Sequence, residues 1–165
     1  MAIAEAPLVA GLQSLSASLE LNTSAEQAFS LLGEVEKWPV WLSILHSARR
    51  QNDAPLVIGS EVILRSSLPG EAEQLFEVEA LIPNYRLSLV GAFSMRRRLD
   101  FRIERRSACA RLHVQVTYPA YHGRLGGMLD RWQRRRRLCS ALDDSLLHFK
   151  GLVEYDRDAA VLADF

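Results

Sequence analysis

The feature that most restricts the fold of this sequence is a run of six strand-like segments between residues 44 and 118. Leu99, Phe101 and Ile103 alternate with charged residues, and Phe76 and Val78 alternate with glutamates. Such alternation is typical of strands with one buried face and one hydrated face. The six predicted strands are 44–51, 61–67, 73–82, 86–92, 96–104 and 110–118. Short connections rich in Pro, Gly, Asn and Ser join most of them, so we predict an antiparallel sheet in chain order.

Helical patterns flank these strands. An alternating segment, 15–21, precedes two overlapping capping boxes, Thr23-x-x-Glu26 and Ser24-x-x-Gln27, that mark the start of a short helix. Pro39 favours the first turn of a second one. After the strands, apolar residues recur at helical spacing from 121 to 155, which predicts one long amphipathic helix. The predicted fold class is α+β: a curved seven-stranded antiparallel sheet around a long C-terminal helix, in the order β-α-α-β-β-β-β-β-β-α.

Composition indicates a single ordinary domain. The 165 residues are 48% hydrophobic and carry 20 basic and 20 acidic side chains. We expect this domain to span 15–155, with a loose lead-in at 1–14 and a frayed tail at 156–165. The first 13 residues lack the basic stretch of a signal peptide, and no apolar run is long enough to cross a membrane. A cytoplasmic location is therefore expected.

Several kinds of site are not indicated by the sequence. It contains no Ser-His-Asp order, phosphate loop, dinucleotide fingerprint or metal-ligand cluster, and Cys109 and Cys139 are isolated, so we expect no cofactor and no metal. Arginines recur between 96 and 106, and four more form the run 134–137 in the predicted long helix. Helical spacing places at least one arginine of this run near the apolar face of the helix. Acidic residues lie among the strand arginines and the net charge is zero, so nucleic acid is not expected as a partner.

Two short stretches resemble a known family. The segment 22–32 leads into an acidic-x-Trp-Pro-x-Trp turn at 36–41, and the segment 146–154 ends in Leu-Lys-x-x-x-Glu-like text in which Phe149 replaces the leucine. With the element order, these features resemble the START-like, or helix-grip, superfamily (SRPBCC) and its polyketide cyclase/dehydrase group. The resemblance covers 15–155 and implies a ligand cavity between the sheet and the long helix.

Inward positions near this cavity are the candidate site. His46 has a pKa suited to acid–base chemistry if its side chain points inward, although a lone histidine is commonly structural. Arg97 shares the face of Leu99 and would meet a ligand carboxylate there, unless it belongs to a solvated strand edge. Tyr118 continues an apolar stripe and is otherwise a core tyrosine. A single β-bulge would reverse these orientations. The predicted ligand-binding residues are Trp41, His46, Leu64, Phe76, Tyr85, Arg97, Phe101, Leu112, Tyr118, Met128 and Trp132.

Three functions remain open at this point. The first is binding of an apolar small molecule, such as a lipid, a quinone or a polyketide-like compound. The second is a polyketide cyclase or dehydratase that acts on a bound poly-carbonyl chain without metal or nucleotide. The third is a protein or ribosome interaction module. A homodimer is compatible with all three. A wholly apolar cavity lining would favour the first, whereas two of the side chains His46, Arg97 and Tyr118 on one cavity wall would favour the second.

Overall fold

The structure, a computed structural model, describes residues 12–67, 72–107, 109–119 and 127–163, with side chains at all of these except 94–96, 127–134 and 156–163. The strands are β1 Leu12–Leu21, β2 Leu45–Arg50, β3 Glu61–Ser66, β4 Glu73–Ile82, β5 Arg86–Gly91, β6 Ser94–Arg105 and β7 Ala110–Pro119. The helices are α1 Ala25–Gly33, a 3-10 turn Val35–Lys37, α2 Trp38–Trp41 and α3 Gly127–Ala163.

The seven strands form one antiparallel sheet that curls around α3. Its order is β1-β7-β6-β5-β4-β3-β2, so the first strand of the chain pairs with the last. The predicted fold class and element order are therefore confirmed. Regular elements extend beyond both ends of the expected domain, 15–155. β1 begins at Leu12, inside the expected lead-in, and α3 continues past Tyr155, where fraying was expected, to Ala163.

Local sequence signals explain two of the connections. Ser24 caps α1, because its Oγ accepts a hydrogen bond from the Gln27 N–H at 3.2 Å. Between β4 and β5, Asn84 has a φ of 59° and the Tyr85 N–H donates to the Ile82 carbonyl at 3.1 Å. A positive φ after Pro83 is what a type II turn requires, and asparagine tolerates it better than most residues.

A β-bulge changes which side chains of β2 face the interior. The pairing with β3 shifts between Leu45 and Ser47, so His46 has no direct partner. Ala48 is buried and faces inward, and strict alternation would bring His46 inward too. The bulge instead brings Leu45 against the core and leaves His46 exposed. The predicted inward orientation of His46 is therefore wrong.

A second bulge has the same effect in β4. The pairing with β5 shifts between Val78 and Ala80. Beyond this point Leu81 packs against the core, whereas Ile82, which alternation places inside, is 47% exposed. Strict alternation along β4 therefore describes the inward face as far as Val78 and fails at Ile82.

An aromatic cluster joins the short helices to the sheet and α3. The Trp38 ring lies 5.4 Å from that of Phe101, and Trp41 lies 5.9 Å from Phe101 and 4.7 Å from Phe149, all edge to face. All four side chains are fully buried. The Trp38 indole donates to the Leu32 carbonyl at 2.9 Å. The Trp-Pro-x-Trp turn thus supplies two anchors to the core, and edge-to-face pairs add to the energy of burial.

Ser145 of α3 holds the segment that leads into β2. Its Oγ accepts a hydrogen bond from the Ser43 N–H at 2.9 Å, and the Ser43 hydroxyl donates to the Ala141 carbonyl at 2.9 Å. Ser145 is fully buried. This contact fixes the position of α3 over the start of β2.

Replacing Ser145 by alanine is expected to lower the free energy of unfolding by about 1–3 kcal/mol, because the Ser43 N–H loses its acceptor. Urea denaturation measures this change. Ser140→Ala, at an exposed position of the same helix, is the control and should change stability by less than about 0.5 kcal/mol. Equal effects of the two substitutions would contradict the role assigned to Ser145.

The convex face of the sheet carries ion pairs between neighbouring strands. Arg111 of β7 donates to Glu20 of β1 and lowers the pKa of this carboxyl below its ordinary value of 4.5. The pair therefore stabilises the fold at neutral pH, and this contribution is lost as the pH falls through the folded-state pKa.

No helix in the described part of the chain combines the length and apolar character needed to span a bilayer.

Arg111→Met is expected to raise the pKa of Glu20 back towards 4.5, because the main cause of its lowering is removed. A carboxyl NMR titration of Glu20 measures the shift. Arg98→Met, which removes the partner of Glu79 on the same face, is the control and should leave the Glu20 titration unchanged. A Glu20 pKa that does not respond to Arg111→Met would contradict this assignment.

Candidate functional site

A pocket lies between one end of the sheet and α3. β3 and β7 end there, at Ser66 and Pro119, and β4 and β6 begin there, at Glu73 and Ser94. The pocket is partly enclosed and has a volume of about 110 Å³. We call this the pocket end of the sheet. The aromatic cluster lies further along the strands, since Phe101 follows the pocket-lining Leu99 by two residues.

Most of the described pocket wall is apolar. The sheet supplies one apolar side chain from each of five strands, and the partly buried Leu138 of α3 covers them from the opposite side. Leu99 and Val116 are direct cross-strand partners, so their side chains lie next to each other. The apolar lining residues are Ile44, Leu45, Leu64, Phe76, Leu99, Val116 and Leu138.

Polar side chains surround the same pocket nearer to the strand ends. Each lies two residues from an apolar lining residue of its own strand and so shares its face. Ser66 follows Leu64, Gln74 precedes Phe76, Arg97 precedes Leu99, and Tyr118 follows Val116. We call Ser66, Gln74, Arg97 and Tyr118 the polar rim. Arg98 and Thr117, a cross-strand pair, also border the pocket.

Four of the predicted site residues meet at this pocket: Leu64, Phe76, Arg97 and Tyr118. Trp41, Phe101 and Leu112 are instead fully buried in the packed core. They support the pocket from within but are absent from its described wall.

The remaining predicted site residues do not contribute side chains to the described pocket. His46 is exposed because of the β2 bulge. Tyr85 is 48% exposed in the β4–β5 turn, at the opposite end of the sheet. Met128 and Trp132 lie in α3, but their side chains are outside the described residues.

The sequence contained a signal for two residues that were not included in the predicted site. Gln74 is the polar residue that interrupts the inward stripe of β4. Leu138 lies four residues before the buried Leu142, on the same face of α3. Arg135, three residues before Leu138, is half-buried, whereas Arg136 and Arg137 are exposed. This confirms that one arginine of the run lies near the apolar face.

Comparisons with known proteins are informative only at the level of structure. No family model and no curated protein matches the sequence. Among solved structures, a START superfamily protein from Mycobacterium smegmatis matches with 18% identity and a TM-score of 0.62, over 86% of this chain and 97% of that one. The Zhui aromatase/cyclase from Streptomyces sp. R1128 matches with 11% identity and a TM-score of 0.68, over 87% and 94%.

The protein has the START-like, helix-grip fold. A further similar structure is the di-domain aromatase/cyclase StfQ of the steffimycin biosynthetic pathway, with 15% identity and a TM-score of 0.69. The match covers 90% of this helix-grip chain but 53% of StfQ, so it corresponds to about half of that protein. At identities this low, the structural similarity establishes the fold alone, and the function has to be argued from the site.

Proposed function

We propose that this helix-grip domain binds an apolar small molecule, such as a lipid, a quinone or a polyketide-like compound, between the sheet and α3. The observation that carries the proposal is the pocket itself, whose wall is mostly aliphatic and aromatic. Ligand sites are commonly apolar clefts with a few oriented polar groups, and the polar rim supplies such groups here. The structural neighbours with START and polyketide cyclase names are consistent with this role.

The volume of the pocket limits what it encloses. A cavity of about 150 Å³ in another protein holds one benzene molecule. The pocket of about 110 Å³ therefore encloses a small ring or a short chain segment, and a larger ligand extends through its open side. Each enclosed methylene contributes about 0.8 kcal/mol to binding.

Native mass spectrometry of the purified protein, followed by extraction and identification of any released compound, tests the proposal. A titration with the neutral fluorescent probe N-phenyl-1-naphthylamine tests it independently, because the probe becomes bright in an apolar site. We expect a co-purifying apolar compound or saturable binding of one probe molecule per chain. Failure of both measurements would refute the binding function.

The second candidate is a polyketide cyclase or dehydratase. Two of the similar structures carry aromatase/cyclase in their names. Cyclisation requires an acid or base within hydrogen-bond reach of the chain. Arg97 and Tyr118 both line the pocket, which supports this candidate, and Tyr118 is the side chain suited to acid–base chemistry there, since His46 is exposed. Loss of product formation from a poly-β-keto thioester in Tyr118→Phe, with probe binding retained, would support the cyclase.

The third candidate, a protein or ribosome interaction module, has less support. It predicts a fully packed interior, which the pocket does not favour. Several strand arginines also lie against carboxylates: Arg98 against Glu79, Arg102 against Asp100 and Arg105 against Glu26. Their charges are thus balanced locally, which supports leaving nucleic acid out of the proposal. The homodimer and the cytoplasmic location stay predictions.

A further inference from the structure

The pocket has two chemically different zones at different depths. On each of four strands, the residue nearer the core is apolar and the next residue on the same face, nearer the strand end, is polar. The pairs are Leu64 and Ser66, Phe76 and Gln74, Leu99 and Arg97, and Val116 and Tyr118. The four strand ends meet at the pocket end of the sheet, where Leu99 is level with Val116 and Gln74 is level with Leu64, so the polar side chains lie nearer to the strand ends on each strand. A ligand that satisfies both zones is amphipathic, with its apolar part innermost.

The charges near the polar rim favour an anion. The described lining residues include two arginines and no aspartate or glutamate. The guanidinium of Arg98 donates to Glu79 at 2.8 Å, so its charge is already balanced by a carboxylate. Arg97 is half-buried on the inward face, and the half-buried Arg135 of α3 lies one helical turn from Leu138. Arg97 lines the pocket, where a charge interacts more strongly than in water.

The chemistry of the rim fits a carboxylate in particular. A guanidinium offers five donors and pairs with a carboxylate through two parallel hydrogen bonds. Ser66, Arg97 and Tyr118 already make interactions within the chain. A head group would add to these interactions or replace one of them, since arginine has donors for more than one acceptor.

We infer that the ligand of this pocket is an amphipathic anion, in which a carboxylate-like head group binds at Arg97 and an apolar chain or ring lies against Leu64, Phe76 and Leu138. This inference rests on the proposed binding function and narrows its ligand class. Among lipid, quinone and polyketide-like compounds, it selects those that carry an acid group.

Competition between matched compounds tests the inference. Octanoate and octan-1-ol share a chain length and differ in the head group, and each displaces N-phenyl-1-naphthylamine if it occupies the pocket. In the unaltered protein, at neutral pH, we expect octanoate to bind about tenfold more tightly than octan-1-ol, as a charge-assisted hydrogen bond allows. In Arg97→Met we expect octanoate to lose about tenfold in affinity and octan-1-ol to be unaffected. Arg97→Lys should retain part of the preference, because it keeps the charge but not the paired hydrogen bonds.

Arg105→Met is the matched control, because Arg105 lies on the same strand at the opposite end and is largely exposed. It should leave the affinity of both compounds unchanged. Equal affinities of octanoate and octan-1-ol for the unaltered protein, or an equal loss of both in Arg97→Met, would overturn the inference while the binding function stands. If the probe does not bind and no apolar compound co-purifies, the proposed function itself fails, and the inference fails with it.

Discussion

Replacing Phe101 by alanine is expected to lower the free energy of unfolding by about 3–5 kcal/mol, the usual cost of removing a buried aromatic ring. Phe101 is fully buried and is the ring that Trp38 and Trp41 both contact edge to face. The substitution removes two aromatic pairs and leaves a cavity between the short helices and the sheet. Urea denaturation followed by tryptophan fluorescence measures the change.

Phe93→Ala is the control for this loss, because Phe93 is 91% exposed. It should change stability by less than about 0.5 kcal/mol. A loss of unfolding free energy below about 1 kcal/mol for Phe101→Ala would contradict the role of the aromatic cluster in stabilising the core. Two milder substitutions distinguish the packed core from the pocket. Phe101→Leu should leave the affinity for N-phenyl-1-naphthylamine unchanged, whereas Phe76→Leu, in the pocket wall, should change this affinity.

The second large effect is expected from filling the pocket. Leu138 of α3 faces the five apolar side chains of the sheet across a space of about 110 Å³. Leu138→Trp places an indole in this space, and we expect the affinity for N-phenyl-1-naphthylamine to fall at least about tenfold. Stability should change little, because the added ring fills existing space and does not overpack a filled core.

Leu147→Trp is the matched control, since Leu147 is 56% exposed on the same helix. Probe binding should be unaffected by it. An unchanged affinity in Leu138→Trp would place the probe elsewhere and contradict the proposed site. A loss of affinity together with a large loss of stability would contradict the view that the space is empty enough to accept a ring.

The order of the elements and the consecutive pairing of β2 to β7 were predictable from the sequence, whereas the pairing of β1 with β7 was not. Side-chain alternation in segments such as Leu99 to Ile103 reports a local property, the two faces of a strand, and short turns restrict which strands pair. The helical spacing before Leu142 likewise identified the long helix. These signals lie within a few neighbouring residues, so they can be recognised without knowledge of the fold.

The composition of the site depended on tertiary structure. The bulges after Leu45 and Val78 are insertions of one residue into a pairing, so their effect on His46 and Ile82 appears only when the partner strand is in place. Trp41 and Phe101 are as apolar as Phe76, yet they pack against one another and Phe76 lines a space. The types of these residues alone could not distinguish the packed core from the pocket wall.

The sequence by itself thus determined that the chain forms an antiparallel sheet with one long helix, because periodicity and turn chemistry act locally along the chain. Only the tertiary structure decided that Leu64, Phe76, Arg97 and Tyr118 meet at one pocket while Trp41, Phe101 and Leu112 do not. The physical reason is that the curvature of the sheet and the position of α3 determine where the two surfaces touch and where they separate, and both depend on contacts between residues far apart in sequence.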